Sequence, residues 1–162
     1  MHNAWDFDEH VYPMKQEDLH DVLAIEKCSF LSPWSQRLFE EALASPISIN
    51  LVVKKGKSLI GYFIMYNIED EVHILNVAVH PDYRGKGYGT KLLHHVLTTF
   101  HKERTMEFFL EVRESNTAAI HLYRKFGFEI IGKRRRYYSE TNEDALVMSL
   151  LREGQKAHDS AQ

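Results

Sequence analysis

Gly85, Gly87 and Gly89 alternate in RGKGYGT, residues 84–90, between the β-branched run NVAV with its HPDY turn and the amphipathic segment KLLHHVLTTF. Glycines so spaced let backbone N–H groups approach an anion with no Cβ in the way, and a helix starting there adds the positive end of its dipole. The chemistry indicated is pyrophosphate binding. Arg84 and Lys86 supply charge beside it, and Tyr88 and Thr90 complete the loop. Two familiar phosphate motifs fit badly: a P-loop needs G-x-x-x-x-G-K-[ST], and GKGYGT has its lysine in the wrong place. A dinucleotide fingerprint needs a third glycine where Thr90 stands and a start tight against the end of a strand, whereas His80 to Arg84 separate the strand from Gly85. The plain alternative is a glycine-rich turn with no ligand.

Five further groups carry reactive or recognitive side chains. Glu111 lies near the carboxyl end of FFLEV, pointing opposite to Leu110 and Val112; a glutamate there is either a base or a solvated strand end. Glu107 shares its face, further from that end. Tyr123 sits on an otherwise apolar helix face, where a tyrosine is ordinarily core with its hydroxyl satisfied. Asn116 precedes that helix as a candidate cap. Ser32, Pro33 and Trp34 occupy a loop, and Tyr137 with Tyr138 close a strand; exposed aromatics of this kind serve recognition or nothing. Ten histidines invite a metal, but His94 and His95 are adjacent on a helix and no H-x-x-x-H pair occurs, so no metal site is expected.

The elements that must position these residues follow from periodicity. Residues 9–14 read as a short strand and 16–30 as a helix with Leu19, Val22, Leu23 and Ile25 inward and Cys28 on the same apolar face, buried. Ser35 caps a helix running to Ala44. Residues 48–54 and 58–67 form a hairpin across KKGK, and 71–79 the next strand after IEDE. A helix to about Glu103 follows the glycine loop, then strand 106–112, helix 117–126, and strands 128–137 and 144–150. The order is βααββββαβαββ with hairpin strands counted separately, or one strand fewer. Antiparallel strands followed by a strand–helix–strand crossover demand an α/β (α+β) fold with a mixed, mostly antiparallel sheet. Strands 71–79 and 106–112 are its central parallel pair, helices flank both faces, and ligands sit at the carboxyl ends of such strands.

Arg84, Gly87 and Gly89 match the R/Q-x-x-G-x-G/A acyl-CoA signature of the GNAT superfamily of N-acetyltransferases, and FFLEVRESNTAAIHLYRKFGFEIIG resembles that superfamily's next block. SPWS at 32–35 and RRRYYSETNEDALVMSL at 134–150 resemble the branch that acetylates the N-terminal alanine of ribosomal protein S18. The likeness spans about residues 11–151. It implies acetyl-CoA as cosubstrate, a central pair of strands splayed into a V for the pantetheine arm, and direct transfer with Glu111 as general base and Tyr123 as general acid. The resemblance places Asn116 on the cofactor side and lets Val77, Ala78 and Val79 offer backbone groups to the pantetheine, an N–H near Val79 polarising the thioester carbonyl. Ser32, Pro33, Trp34, Tyr137 and Tyr138 would flank the acceptor. Other acceptors within the same fold are broader protein N-termini, a polyamine or another small amine; a non-enzymatic acyl-CoA-binding module would lack Glu111 and Tyr123.

Length and composition set the frame. At 162 residues and 44% hydrophobic content the chain reads as one domain, 1–162, with a core over about 11–151 and flexible termini. A net charge of −3 argues against direct nucleic-acid binding, and the basic run Lys133–Arg136 reads as a solvated strand end. If that run lines the acceptor groove, a strongly basic N-terminus is disfavoured. One cysteine allows no intramolecular disulfide. The acidic, polar N-terminus is unlike a secretory signal, and no apolar run reaches membrane-spanning length. The expectation is a cytoplasmic monomer with no membrane partner.

Overall fold

A computed structural model of the protein describes residues 6–100 and 103–155. In chain order it contains β1 (Val11–Pro13), α1 (Leu19–Ser29), α2 (Gln36–Ala44), β2 (Ser48–Lys55), β3 (Ser58–Ile68), β4 (Glu71–Val79), α3 (Tyr88–Thr99), β5 (Met106–Arg113), α4 (Thr117–Lys125), β6 (Glu129–Tyr138) and β7 (Glu143–Arg152). The strands form a mixed, mostly antiparallel seven-stranded sheet in the order β1-β2-β3-β4-β5-β7-β6, with β4 and β5 its parallel pair. Seven is the lower of the two strand counts read from the sequence. The first strand is shorter than expected because Asp8–His10 winds into a 3-10 turn. The expected extension of α3 towards Glu103 runs through residues 101–102, which lie outside the described residues, as do 1–5 and 156–162, where loose termini were expected. Among the described residues no helix is long and apolar enough to cross a membrane.

Two compact units divide these elements: Met1–Tyr66 with Ile74–His95, and Asn67–His73 with Val96–Gln162. In the first, β2 and β3 turn over Gly56, whose φ of +61° suits the first position of a two-residue hairpin. β3 is buried from Leu59 to Met65, as a strand covered on both faces must be. Phe39 of α2, Val22 of α1, and Val52, Tyr62 and Ile64 of the sheet are fully buried together; each large apolar side chain so placed contributes about 2 kcal/mol. Ser35 caps α2 as expected, accepting the Leu38 N–H at 3.4 Å. Gly61 is hemmed in by β4 and α3: a Cβ there would lie 2.7 Å from the Ala78 carbonyl oxygen of β4 and 3.2 Å from a Leu92 methyl of α3. The strand oxygen is the contact that cannot give way, so the approach of the Ala78 carbonyl is what requires glycine here.

Cys28 departs from expectation: it is exposed. The buried face of α1 is Leu19, Val22, Ile25 and Glu26, with Leu23 half-buried, and at 100° per residue position 28 points away from it. The inner face carries a carboxylate where the cysteine was expected.

In the second unit β5 alternates strictly, with Met106, Phe108, Leu110 and Val112 buried and Glu107, Phe109, Glu111 and Arg113 half-exposed. β7 pairs antiparallel with β5 from Met106↔Arg152 to Arg113↔Ala145 and with β6 on its other edge. The β6–β7 register shifts between Arg134 and Tyr138, where Arg136 takes a φ of +51°. Such a bulge bends the strand just before its two tyrosines.

Candidate active site

The glycine loop starts where β4 stops. His80 N–H bonds the Ile60 carbonyl, and the His80 ring nitrogen Nδ1 accepts the Asp82 N–H at 3.0 Å, winding Pro81–Tyr83 into a 3-10 turn. Gly85 and Gly87 follow with φ of +74° and +84°, the left-handed region in which an L side chain is strained. A Cβ on either would meet no protein atom within 4 Å. Backbone conformation therefore demands glycine here, and the space before the loop is open, as an anion cradle requires. The Lys91 N–H bonds the Gly87 carbonyl at 3.1 Å, opening α3. The N–H groups of Tyr88, Gly89 and Thr90 fall in the first turn, where helix geometry provides no acceptor of its own.

Three loop residues sit differently from the sequence reading. Gly89 lies inside the first turn of α3, so its glycine is not needed for a positive φ. Tyr88 is buried, its ring 5.9 Å from Tyr83 and 6.4 Å from Phe7; its side chain anchors the helix and only its backbone faces the loop. Arg84 turns back from the glycines, its Nε donating to the Val79 carbonyl at 3.0 Å and a terminal nitrogen to Ser29 Oγ at 2.8 Å. A strand-end carbonyl and a helix-end hydroxyl thus take two of the guanidinium's five N–H donors. Lys86, its ammonium 5.6 Å above the Tyr83 ring, is exposed beside the glycines. Val77 and Val79 are half-buried and Ala78 is buried.

In the second unit Glu111 stands on the half-exposed face of β5, opposite Val147 of β7. Its carboxylate meets Arg134 of β6, Nε to Oε1 at 2.9 Å, and the same guanidinium lies 5.6 Å over the Tyr137 ring. The basic run is solvated, as expected, with Lys133 on Glu114 at 2.9 Å. That one of its members would hold the candidate base was not legible, because the pairing depends on strand register across β7. Arg113 stacks 3.9 Å over the half-buried Tyr138 ring while pairing with Glu140 and Glu143. Tyr137 is exposed and packs edge-on against Tyr138 at 5.1 Å.

Tyr123 is held by the way α4 ends. Gly127, at φ +97°, donates to the Arg124 carbonyl at 3.0 Å and Phe128 to the Tyr123 carbonyl at 3.1 Å, the paired bonds of a Schellman motif. Its accompanying apolar contact is Phe128 against the Tyr123 ring, centroids 5.8 Å apart. Burial first, and the charge of Tyr138 second, push the Tyr123 hydroxyl up to about 12. Asn116 caps the other end of α4, its Oδ1 accepting the Ala119 N–H at 3.2 Å.

The SPWS loop presents Ser32 and Pro33 outward, but Trp34 folds in, 5.2 Å from Phe39 at the edge of the first unit's core. Among the described residues no group of three or more His, Cys, Asp or Glu side chains could hold a metal ion.

A positive-φ glycine cradle at the start of α3 and a capped helix carrying a protonated tyrosine can serve many transferases. The decisive finding is that residues 19–128 match the model of the acetyltransferase (GNAT) family. This chain belongs to that family. GNAT relatives include the ribosomal protein bS18-alanine N-acetyltransferase of Escherichia coli K12, 34% identical over 139 residues, or 85% of this chain and 93% of that protein. The crystal structure of the ribosomal-protein-S18-alanine N-acetyltransferase from Escherichia coli superposes with a TM-score of 0.82 at 30% identity, covering 94% of this chain and 98% of that one. Arabidopsis thaliana Naa50, in complex with the bisubstrate analogue CoA-Ac-MVNAL, superposes with a TM-score of 0.73 at 26% identity over 86% and 96% of the two chains. The GNAT assignment makes this chain an acetyltransferase that draws on acetyl-CoA.

Proposed function

We propose that this GNAT enzyme acetylates a protein N-terminal α-amine, that of the alanine of ribosomal protein S18. The observation that carries the reading is a likeness to the bS18-alanine enzyme of Escherichia coli that runs over nearly the whole of both chains. In this reading Gly85, Lys86, Gly87 and the first-turn amides of Tyr88, Gly89 and Thr90 hold the pyrophosphate, and Asn116 and the Val77–Val79 backbone flank the pantetheine. The Val79 N–H stabilises the tetrahedral oxyanion.

Transfer needs a neutral amine and a proton for the departing thiolate. At pH 7, deprotonating an α-amine of reference pKa near 8 costs about 1.4 kcal/mol, against about 4.6 kcal/mol for a lysine. A single carboxylate acting through water suffices for the first, and Glu111 is that group. The amine nitrogen attacks the thioester carbonyl, Glu111 takes a proton through water, and the intermediate collapses with cleavage of the C–S bond. Tyr123 gives its hydroxyl proton to the sulfur; burial keeps that hydroxyl protonated across the working pH range. Ser32, Pro33, Tyr137 and Tyr138 flank the acceptor peptide, while Trp34 shapes the loop from beneath. We further propose a single catalytic domain working as a cytoplasmic monomer.

Acetyl-CoA turnover measured against an S18 N-terminal peptide beside a panel of polyamines tests the reading. Preference for the peptide is expected; a polyamine turned over faster moves the acceptor to the small-amine class.

A further inference from the structure

Glu26 is 1% exposed, among the most deeply buried side chains of the first unit. It lies on the inner face of α1 between Ile25 and Ser29, where periodicity alone asks for an apolar residue. Moving a carboxylate out of water costs several kcal/mol unless it is well hydrogen-bonded, and apolar residues of similar volume often serve stability as well or better. Its presence calls for a task other than packing.

Its partners indicate the task. One carboxylate oxygen, Oε1, accepts the backbone N–H of Trp34 at 3.0 Å, in the middle of the SPWS loop. The other, Oε2, accepts the hydroxyl of Tyr62 on β3 and the side-chain amide of Asn76 on β4, the latter at 2.8 Å. Asn76 is itself 7% exposed, immediately before Val77. Burial, followed by the charge of Glu26, holds the Tyr62 hydroxyl firmly protonated as a donor. All the donors serve one anion, the arrangement in which hydrogen bonds are strongest. One helical turn further along α1, Ser29 Oγ accepts from the Arg84 guanidinium that also binds the Val79 carbonyl. The last turn of α1 thus ties the SPWS loop to β3 and β4 through Glu26, and the start of the glycine loop through Ser29.

We propose that Glu26 is a positioning residue for the acceptor: its buried carboxylate fixes the 32–34 loop by the Trp34 N–H and so sets the enzyme's affinity for the peptide. The proposal rests on the acceptor-side reading of that loop given above. In this proposal Glu26 acts through the Trp34 N–H and not on the reacting atoms.

The test uses the full chain carrying Trp5→Phe, so that Trp34 is the sole tryptophan, with and without Glu26→Gln. Glutamine keeps the size but presents an amide N–H₂ where the network supplies only donors. The expected result is a red shift of Trp34 emission, a rise of about tenfold or more in the peptide KM, and an acetyl-CoA KM within about twofold of the parent. Glu26→Asp, which keeps the charge and shortens only the reach, should give the same split and covers the case in which the glutamine variant does not fold. Unchanged peptide KM in a folded variant overturns the proposal whether or not the emission moves, as does an equal rise in both KM values. Failure of the underlying reading shows separately: a parent protein that does not turn over the peptide refutes the acceptor assignment, whereas Ser32→Ala with Pro33→Ala leaving the peptide KM unchanged refutes the loop's role in binding.

Discussion

In the proposed mechanism a carboxylate and a phenol divide the proton work, and each can be removed with its shape kept. Tyr123→Phe retains the ring that packs on Phe128 at the end of α4. It should lower kcat while leaving the acetyl-CoA KM within about twofold, because only a proton needed in the transition state is lost. Steady-state kinetics decides, and a variant with parental kcat would return Tyr123 to a packing role. Glu111→Gln keeps strand geometry while removing the basic site, so kcat/KM for the peptide should fall by about 100-fold near pH 7. The sign of the pH dependence follows from the acceptor. Above its reference pKa near 8 the α-amine is already neutral, so the defect should shrink as pH rises from about 6.5 to about 9.5. Tyr123 does not contribute to that trend, since its hydroxyl, pushed up to about 12, keeps its proton throughout. A defect of constant size would mean that Glu111 orients the peptide without accepting its proton.

Among the elements, the glycine loop is the one whose geometry makes the sharpest demand. Gly87→Val forces a β-branched residue to a φ of +84° and puts side-chain bulk into open space before α3. The dissociation constant of acetyl-CoA should rise at least about tenfold, roughly 1.4 kcal/mol, with the protein still folded. Titration calorimetry reads this directly, and unchanged affinity would remove the loop from cofactor binding. Elements of this kind were legible in the sequence because local chemistry sets them: the strict alternation of β5, the Asn116 cap of α4 and the Ser35 cap of α2 all stand where periodicity and turn residues put them. Side-chain direction was not. Arg84 and Tyr88 are chosen by partners distant in sequence, Ser29 and Phe7 respectively. Glu26 was missed, and Cys28 misplaced, for one reason: an apolar-face reading of α1 expects neither a buried carboxylate nor an outward cysteine between its turns. A charged residue falling on the inner stripe of a helix was the available signal.

At the scale of the whole molecule, a chain of net charge −3 with its basic run solvated and partly paired to Glu111 and Glu114 suits a small enzyme acting on a protein end. The central claim is that the acetyl group goes to an N-terminal α-nitrogen. The most direct measurement incubates the protein with acetyl-CoA and the intact S18 polypeptide and locates the new acetyl group by fragmentation mass spectrometry. The account predicts acetylation of the alanine α-amine, with lysine side chains unmodified. Acetyl groups on lysines with the N-terminus left free would contradict it.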